Sequence, residues 1–211
     1  MYPSKVDFFN GLAAKHGDEL QKKFEAASVA VCGAGGLGSN IAIALARAGV
    51  GRLKIIDFDK IEITNLNRQQ YFADQIGLFK AQALKENLSR IAPYCEVTAE
   101  VAKITEENVT SLLKGFPIVC EAFDKAEAKA MLVNAILENM PETYLVSGSG
   151  MASLNPANSI KTRKITDRFY LCGDMTNDVD AGNGLFGARV LVCAAHQAHT
   201  ILRIIAGEFE V

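Results

Sequence analysis

The run SVAVCGAGGLGSNIAIALARAG, residues 28–49, restricts the chain more than any other stretch. Five residues suited to a buried strand meet Gly33, Gly35, Gly36 and Gly38, and an alanine-rich helical segment then runs to Gly49. The spacing Gly33-x-Gly35-x-x-Gly38 has a separate reason at each position. One glycine turns the chain out of the strand, one lets backbone approach a phosphate, and one lets the helix sit close on the sheet. A helix that starts there offers unpaired amides and partial positive charge to an anion. Asp57 follows nineteen positions after Gly38, at the end of the next apolar run, RLKIIDFD (52–59). A carboxylate at that distance can take both hydroxyls of a ribose. A tight turn that binds nothing would need none of this context. The pattern alone does not decide between NAD and ATP.

Downstream the alternation continues. Residues 77–93, 105–115, 125–139 and 187–207 read as helices, and 96–103, 117–123 and 143–150 as strands. This order predicts an α/β chain with a mostly parallel sheet and helices on both faces. After residue 150 the pattern changes: NSIKTRKIT and RFYLCG read as an antiparallel pair, and 174–184 as a polar loop rich in Gly and Asp. Residues 3–25 read as a helical arm broken at Gly17, with Val6, Phe9, Leu12, His16, Leu20 and Phe24 on its packing face. The expected organisation is one unit: arm 1–25, nucleotide-binding core 26–150, and 151–211 with the antiparallel strands, a crossover loop and the last helix.

The connection DFDKIEITNLNRQQYF (57–72) decides between the nucleotides. It places Asp59, Asn65, Arg68 and Gln69 beyond the C-terminal end of a strand, where ligands of open sheets bind. Lys80 opens the next helix, and Asp124 ends a later strand on the same rim. A dinucleotide needs little of this. A triphosphate needs a forked guanidinium, a point charge and an oxygen ligand for Mg²⁺. Taken singly, Asn65 and Asp124 also suit caps and Arg68 a surface ion pair; the combination favours ATP. No G-x-x-x-x-G-K-[ST] motif is present, so this is not a P-loop enzyme.

Charge and cysteines exclude other classes. Lys+Arg number 22 against Asp+Glu 24, for a net charge of −2, so no basic excess points to nucleic acid or a membrane surface. No apolar run reaches the length of a bilayer span. Cys32, Cys95, Cys120, Cys172 and Cys193 form no Cys-x-x-Cys pair. They are expected as reduced thiols in a cytoplasmic protein, and no zinc site is expected. Cys172 is the best remaining candidate for sulfur chemistry, with a structural thiol as the plainer reading. His196 and His199 read as the polar edge of the last helix.

Three segments, GAGGLGSNIAIALARAGVGRLKIIDFDKIEITNLNRQQYFADQIGLFKAQA, AFDKAEAK and GLFGARVLVCAAHQAHTILRIIAG, make the chain resemble the ubiquitin-activating-enzyme-like superfamily, the ThiF/MoeB/HesA group of adenylyltransferases. The compact length resembles the ThiF type, linked with thiamine biosynthesis. The resemblance implies a Rossmann-like fold, a homodimer, and ATP-dependent adenylation of the C-terminal Gly-Gly carboxylate of a ubiquitin-like sulfur carrier protein. It assigns Gly33, Gly35, Gly36 and Gly38 to the phosphate loop and Asp57 to the ribose. Asn65, Arg68, Gln69 and Lys80 fall on the triphosphate contacts, and Asp124 on the magnesium ligand. Arg68 and Lys80 are the expected stabilisers of the reacting phosphate. The chain departs from the family in having no arginine before Arg47, no paired zinc cysteines, and no cysteine in the crossover loop. The competing readings are a small NAD-dependent oxidoreductase, a relative activating another carboxylate such as one on modified tRNA, and an idle nucleotide-binding module.

Overall fold

The computed structural model describes residues 2–176 and 184–211. Strand β1 (Ser28–Cys32) lies inside the sheet and is buried over nearly its whole length. Burial on both faces is what an unbroken apolar strand in a parallel sheet requires. It pairs in parallel with β2 (Arg52–Ile56) on one side and β4 (Ile118–Glu121) on the other. The sheet continues to β3 (Glu96–Glu100) beyond β2 and to β5 (Tyr144–Gly148) beyond β4. Next come β7 (Phe169–Gly173), parallel to β5, and β6 (Lys161–Thr166), antiparallel to β7, giving the order β3-β2-β1-β4-β5-β7-β6. The expected α/β class and antiparallel C-terminal extension are both present. β6 closes that edge with a register shift between Lys164 and Thr166.

Helices cover both faces. α3 (Gly36–Arg47) and the long α7 (Gly187–Ala206) pack together with α4 (Lys80–Ile91) over one side, around Ile41, Leu45, Leu84, Leu88, Cys193 and Ile201. α5 (Val109–Leu113) and α6 (Ala126–Asn139) cover the other, around Cys32, Leu113, Leu132 and Ile136. The arm forms α1 (Lys5–His16) and α2 (Asp18–Ala26), divided at Gly17 as its sequence predicts. The packing face of the arm runs as expected through the half-buried Phe9, Leu12, His16 and Leu20 to the buried Phe24. Val6 departs from it at 67% exposed, and Phe8 joins Phe9 against the Tyr94 ring. The helix expected over 105–115 is shorter, Val109–Leu113, because Asn108 caps a preceding turn by accepting the Thr105 amide.

The sheet reverses its winding between β1 and β4. Their C-terminal ends lie side by side: Cys32 is in register with Glu121, and the Ala122 amide donates to the Cys32 carbonyl. Connections from adjacent strands diverge there and leave a crevice. The crossover-loop residues 177–183 fall outside the described residues.

Candidate functional site

The crevice is a cleft of about 1310 Å³ at the C-terminal ends of the parallel strands. Gly33, Gly35 and Gly36 form one wall, Asp57, Asp59, Arg68, Gln69 and Lys80 the second, and residues 122–131 the third; Ser147 and Gly148 lie at its base. Of the residues singled out from sequence, Gly38 and Asn65 do not line it. Gly38 serves the close approach of α3 to the sheet: a Cβ there would stand 1.8 Å from the Gly33 carbonyl oxygen. Asn65 is buried, and its Oδ1 accepts the Glu62 amide, so its side chain closes the short helix Ile63–Asn65.

The glycine wall is ready for an anion. Gly33 has φ +98°, and no side chain caps the first turn of α3, whose N-cap is Gly35. The amides of that turn are therefore free of a side-chain acceptor. Asp57 braces the turn from below. Its Oδ2 accepts the Ala34 amide at 2.7 Å and its Oδ1 the Asp59 amide at 2.7 Å. Burial raises its carboxyl above the ordinary range, opposed by these two amides and by Lys80. Each carboxylate oxygen keeps one acceptor site beyond its backbone partner.

The second wall is stapled to α3 by residues the sequence does not flag. The Ser39 hydroxyl accepts the Gln70 amide, and Asn40 donates to the Arg68 carbonyl and accepts from the Gln70 side chain. Tyr71 donates its hydroxyl to the Ala34 carbonyl at 2.7 Å. Two polar residues early in an otherwise apolar helix were the available signal. This backbone path carries the half-buried Arg68 across the start of α3. A Cβ on Gly36 would approach the Arg68 Cγ to 3.3 Å, so that glycine makes room for the arginine stem. Arg68 Nη1 donates to the Thr64 carbonyl and to Asn67. Burial lowers the guanidinium from its ordinary value, and the Asp124 charge pulls the other way.

Lys80, 7% exposed, reaches Asp59 at 2.9 Å. Gln69 is buried on the wall with its Oε1 lacking a hydrogen-bond partner. An orphaned polar atom beside an uncapped helix start fits a wall that receives a polar ligand. Asp124 is exposed and is not the cap of α6: the N-cap is Lys125, with no side-chain cap bond. Its carboxylate is an oxygen donor of the kind Mg²⁺ takes, alone or with one other, beside substrate phosphates. Among the described residues no group of three or more His, Cys, Asp and Glu is placed to hold a metal ion.

The sequence reading missed Glu121. It is fully buried at the end of β4 and bonds Lys129 and Ser147 across two elements. Cys172 is also fully buried, with its thiol raised by burial and set near the Thr162 and Thr200 hydroxyls. That placement favours the structural thiol. Asp174, two residues on, is paired with Arg189. On α7, His196 is half-buried against Thr162, and His199 is exposed. No described helix is long and apolar enough to cross a membrane.

Comparison with known proteins finds relatives of this chain. The tRNA threonylcarbamoyladenosine dehydratase of Escherichia coli is 35% identical over 144 residues, which cover 67% of this chain and 54% of that protein. The adenylyltransferase and sulfurtransferase MOCS3 of Culex quinquefasciatus is 33% identical over 201 residues, 90% of this chain and 44% of that one. The crystal structure of the E. coli dehydratase TcdA in complex with ATP superposes with a TM-score of 0.86 at 24% identity, covering 99% of this chain and 98% of that one, and so shares the fold. The chain spans about half the length, or less, of the curated relatives it matches. The model of the ThiF family matches residues 10–211, and the chain belongs to that family.

Proposed function

We propose that the chain is an ATP-dependent adenylyltransferase that activates a carboxylate as its acyl-adenylate. The observation that carries this reading is the meeting of Arg68, Lys80 and Asp124 with the glycine turn in one cleft. A terminal carboxylate, with a pKa of about 3.5, is already ionised at neutral pH and needs no general base. Its oxygen attacks the α-phosphorus, the bond from that phosphorus to the bridging oxygen breaks, and pyrophosphate leaves. The barrier is the approach of one anion to another. Arg68 and Lys80 oppose it with fixed positive charge, and the α3 amides orient the phosphates. Asp57 is suited to the ribose hydroxyls and Gln69 to a phosphate contact. Asp124, with Asp59 near the rim, would hold Mg²⁺, which when bound spreads the charge of the phosphates. The oxidoreductase reading leaves Arg68, Lys80 and Asp124 without work.

The finer reading is a ubiquitin-like sulfur carrier ending in Gly-Gly, in thiazole formation for thiamine. Similarity to the Thermus thermophilus sulfur carrier protein adenylyltransferase, 33% identical over 136 residues, supports it. A second substrate, a carboxylate on modified tRNA, is favoured by the dehydratase comparison, which extends over nearly all of both chains. A homodimer is supported by the exposed Phe58, Ile63, Phe72, Ile76 and Leu78 on the β2–α4 connection. ATP–pyrophosphate exchange with Gly-Gly carriers in one arm and threonylcarbamoyladenosine tRNA in the other tests the reading. Exchange is expected with one of them and is expected to fall by about 100-fold or more in Arg68→Ala. Absence of exchange and of ATP binding would refute it.

A further inference from the structure

Glu121 is a carboxylate with no exposed surface, in a strand that otherwise reads Ile118-Val119-Cys120. Isolated burial of such a charge is costly, and even a well-paired one is often no better than an apolar substitute. Its three partners come from three cleft-lining places. Oε1 accepts the Phe123 amide at 2.6 Å, from the β4–α6 turn. Oε2 accepts the Lys129 ammonium at 2.6 Å, from α6, and the Ser147 hydroxyl, from the end of β5. The Gln197 side chain of α7 donates to the Glu121 carbonyl at 3.0 Å. The turn gripped at Phe123 presents Asp124 as its next residue, and Asp124 has no cap bond of its own to fix it.

Building on the ATP reading above, we propose that Glu121 is a positioning residue: it pins the β4–α6 turn from beneath and so sets the Asp124 carboxylate for the magnesium-bound nucleotide. Lys129 then serves as counter-ion to Glu121, and Ser147 completes its acceptor set. The role is distinct from that of Asp124, since Glu121 itself is sealed from the cleft.

Binding, separate from turnover, tests this. Affinities of wild type, Glu121→Gln, Ser147→Ala, Asp124→Asn and the Glu121→Gln/Asp124→Asn double variant are measured by calorimetry for ATP with excess Mg²⁺ and for ATP with EDTA. Glu121→Gln is expected to weaken MgATP about tenfold, in the range of residues that orient metal ligands, and to leave metal-free ATP within about twofold. In the Asp124→Asn background the same change is expected to add nothing. Equal weakening of both nucleotide forms, or a multiplicative loss in the double variant, would overturn the proposal while leaving the ATP reading intact. Failure of wild type to bind ATP in either condition would overturn both. Circular dichroism checks folding. If Glu121→Gln does not fold, Ser147→Ala decides: a smaller loss confined to MgATP supports the proposal, and no loss or an equal loss with EDTA overturns it.

Discussion

Asp57 is held by two backbone amides and still has its carboxyl raised by burial above the ordinary 3.8. The native state therefore binds this proton more readily than the unfolded chain does. Between the unfolded and folded values, stability falls as pH rises. Asp57→Asn removes that slope, so the variant is expected to gain on wild type as pH climbs from about 4, in urea melts taken at half-unit steps. The glycines separate in the same way. A Cβ on Gly35 would meet only Gln69 Nε2, at 3.8 Å, so Gly35→Ala is expected to keep stability within about 1 kcal/mol while weakening ATP. Gly38→Ala is expected to lose about 3 kcal/mol in the same melts, because its methyl overlaps the Gly33 carbonyl. The cleft residues were legible because each follows a strand end or glycine turn at a distance that the motif sets. Glu121 was not, because Lys129 and Ser147 give it meaning, and Ser147 is 26 positions away. For Asn65 the sequence left two readings open, because the same polar side chain suits a turn or a phosphate, and its side chain closes the turn at Glu62.

At the scale of elements, the first turn of α7 carries Arg189 where the helix dipole disfavours a cation. It is 5% exposed, paired with Asp174, and it donates to the carbonyls of Ala152, Asn155 and Pro156. One guanidinium thus ties α7 to residues 152–156. Removing it from beside a buried acid should cost about 3–5 kcal/mol. Arg189→Met is expected to show that loss in denaturant melts, with faster proteolysis near residue 154. Helix and strand order was legible from periodicity and from the stops at Gly49 and Pro93. The length of α5 was not, since Asn108 diverts the preceding backbone into a turn. The face of the arm was legible from Phe9 to Phe24; Val6 is exposed, and Phe8, off that spacing, joins Phe9 on the Tyr94 ring.

Across the whole molecule, the pairing of β1 with β4 does what no local segment can: it brings a turn near residue 35 beside one near residue 124. Alternating strands and helices implied the sheet, and tertiary pairing set its order. The five thiols report on the same architecture. All are free, and only Cys95 is partly exposed. Burial and Glu96 push Cys95 up to about 12, and burial pushes Cys193 up to about 12. With Ellman's reagent at pH 8, Cys95 is expected to react first, roughly 100-fold or more below free cysteine. The other four are expected to label in one phase that tracks global unfolding in urea.

The antiparallel strand at the sheet's margin has a consequence for behaviour at high concentration. β6 presents Lys161, Arg163 and Lys164 within six residues, and its pairing slips after Lys164. A second copy adding its own β6 there would have to crowd cations together along an irregular ladder. That arrangement discourages growth of the sheet from molecule to molecule, a safeguard against fibrous self-addition written into one short segment.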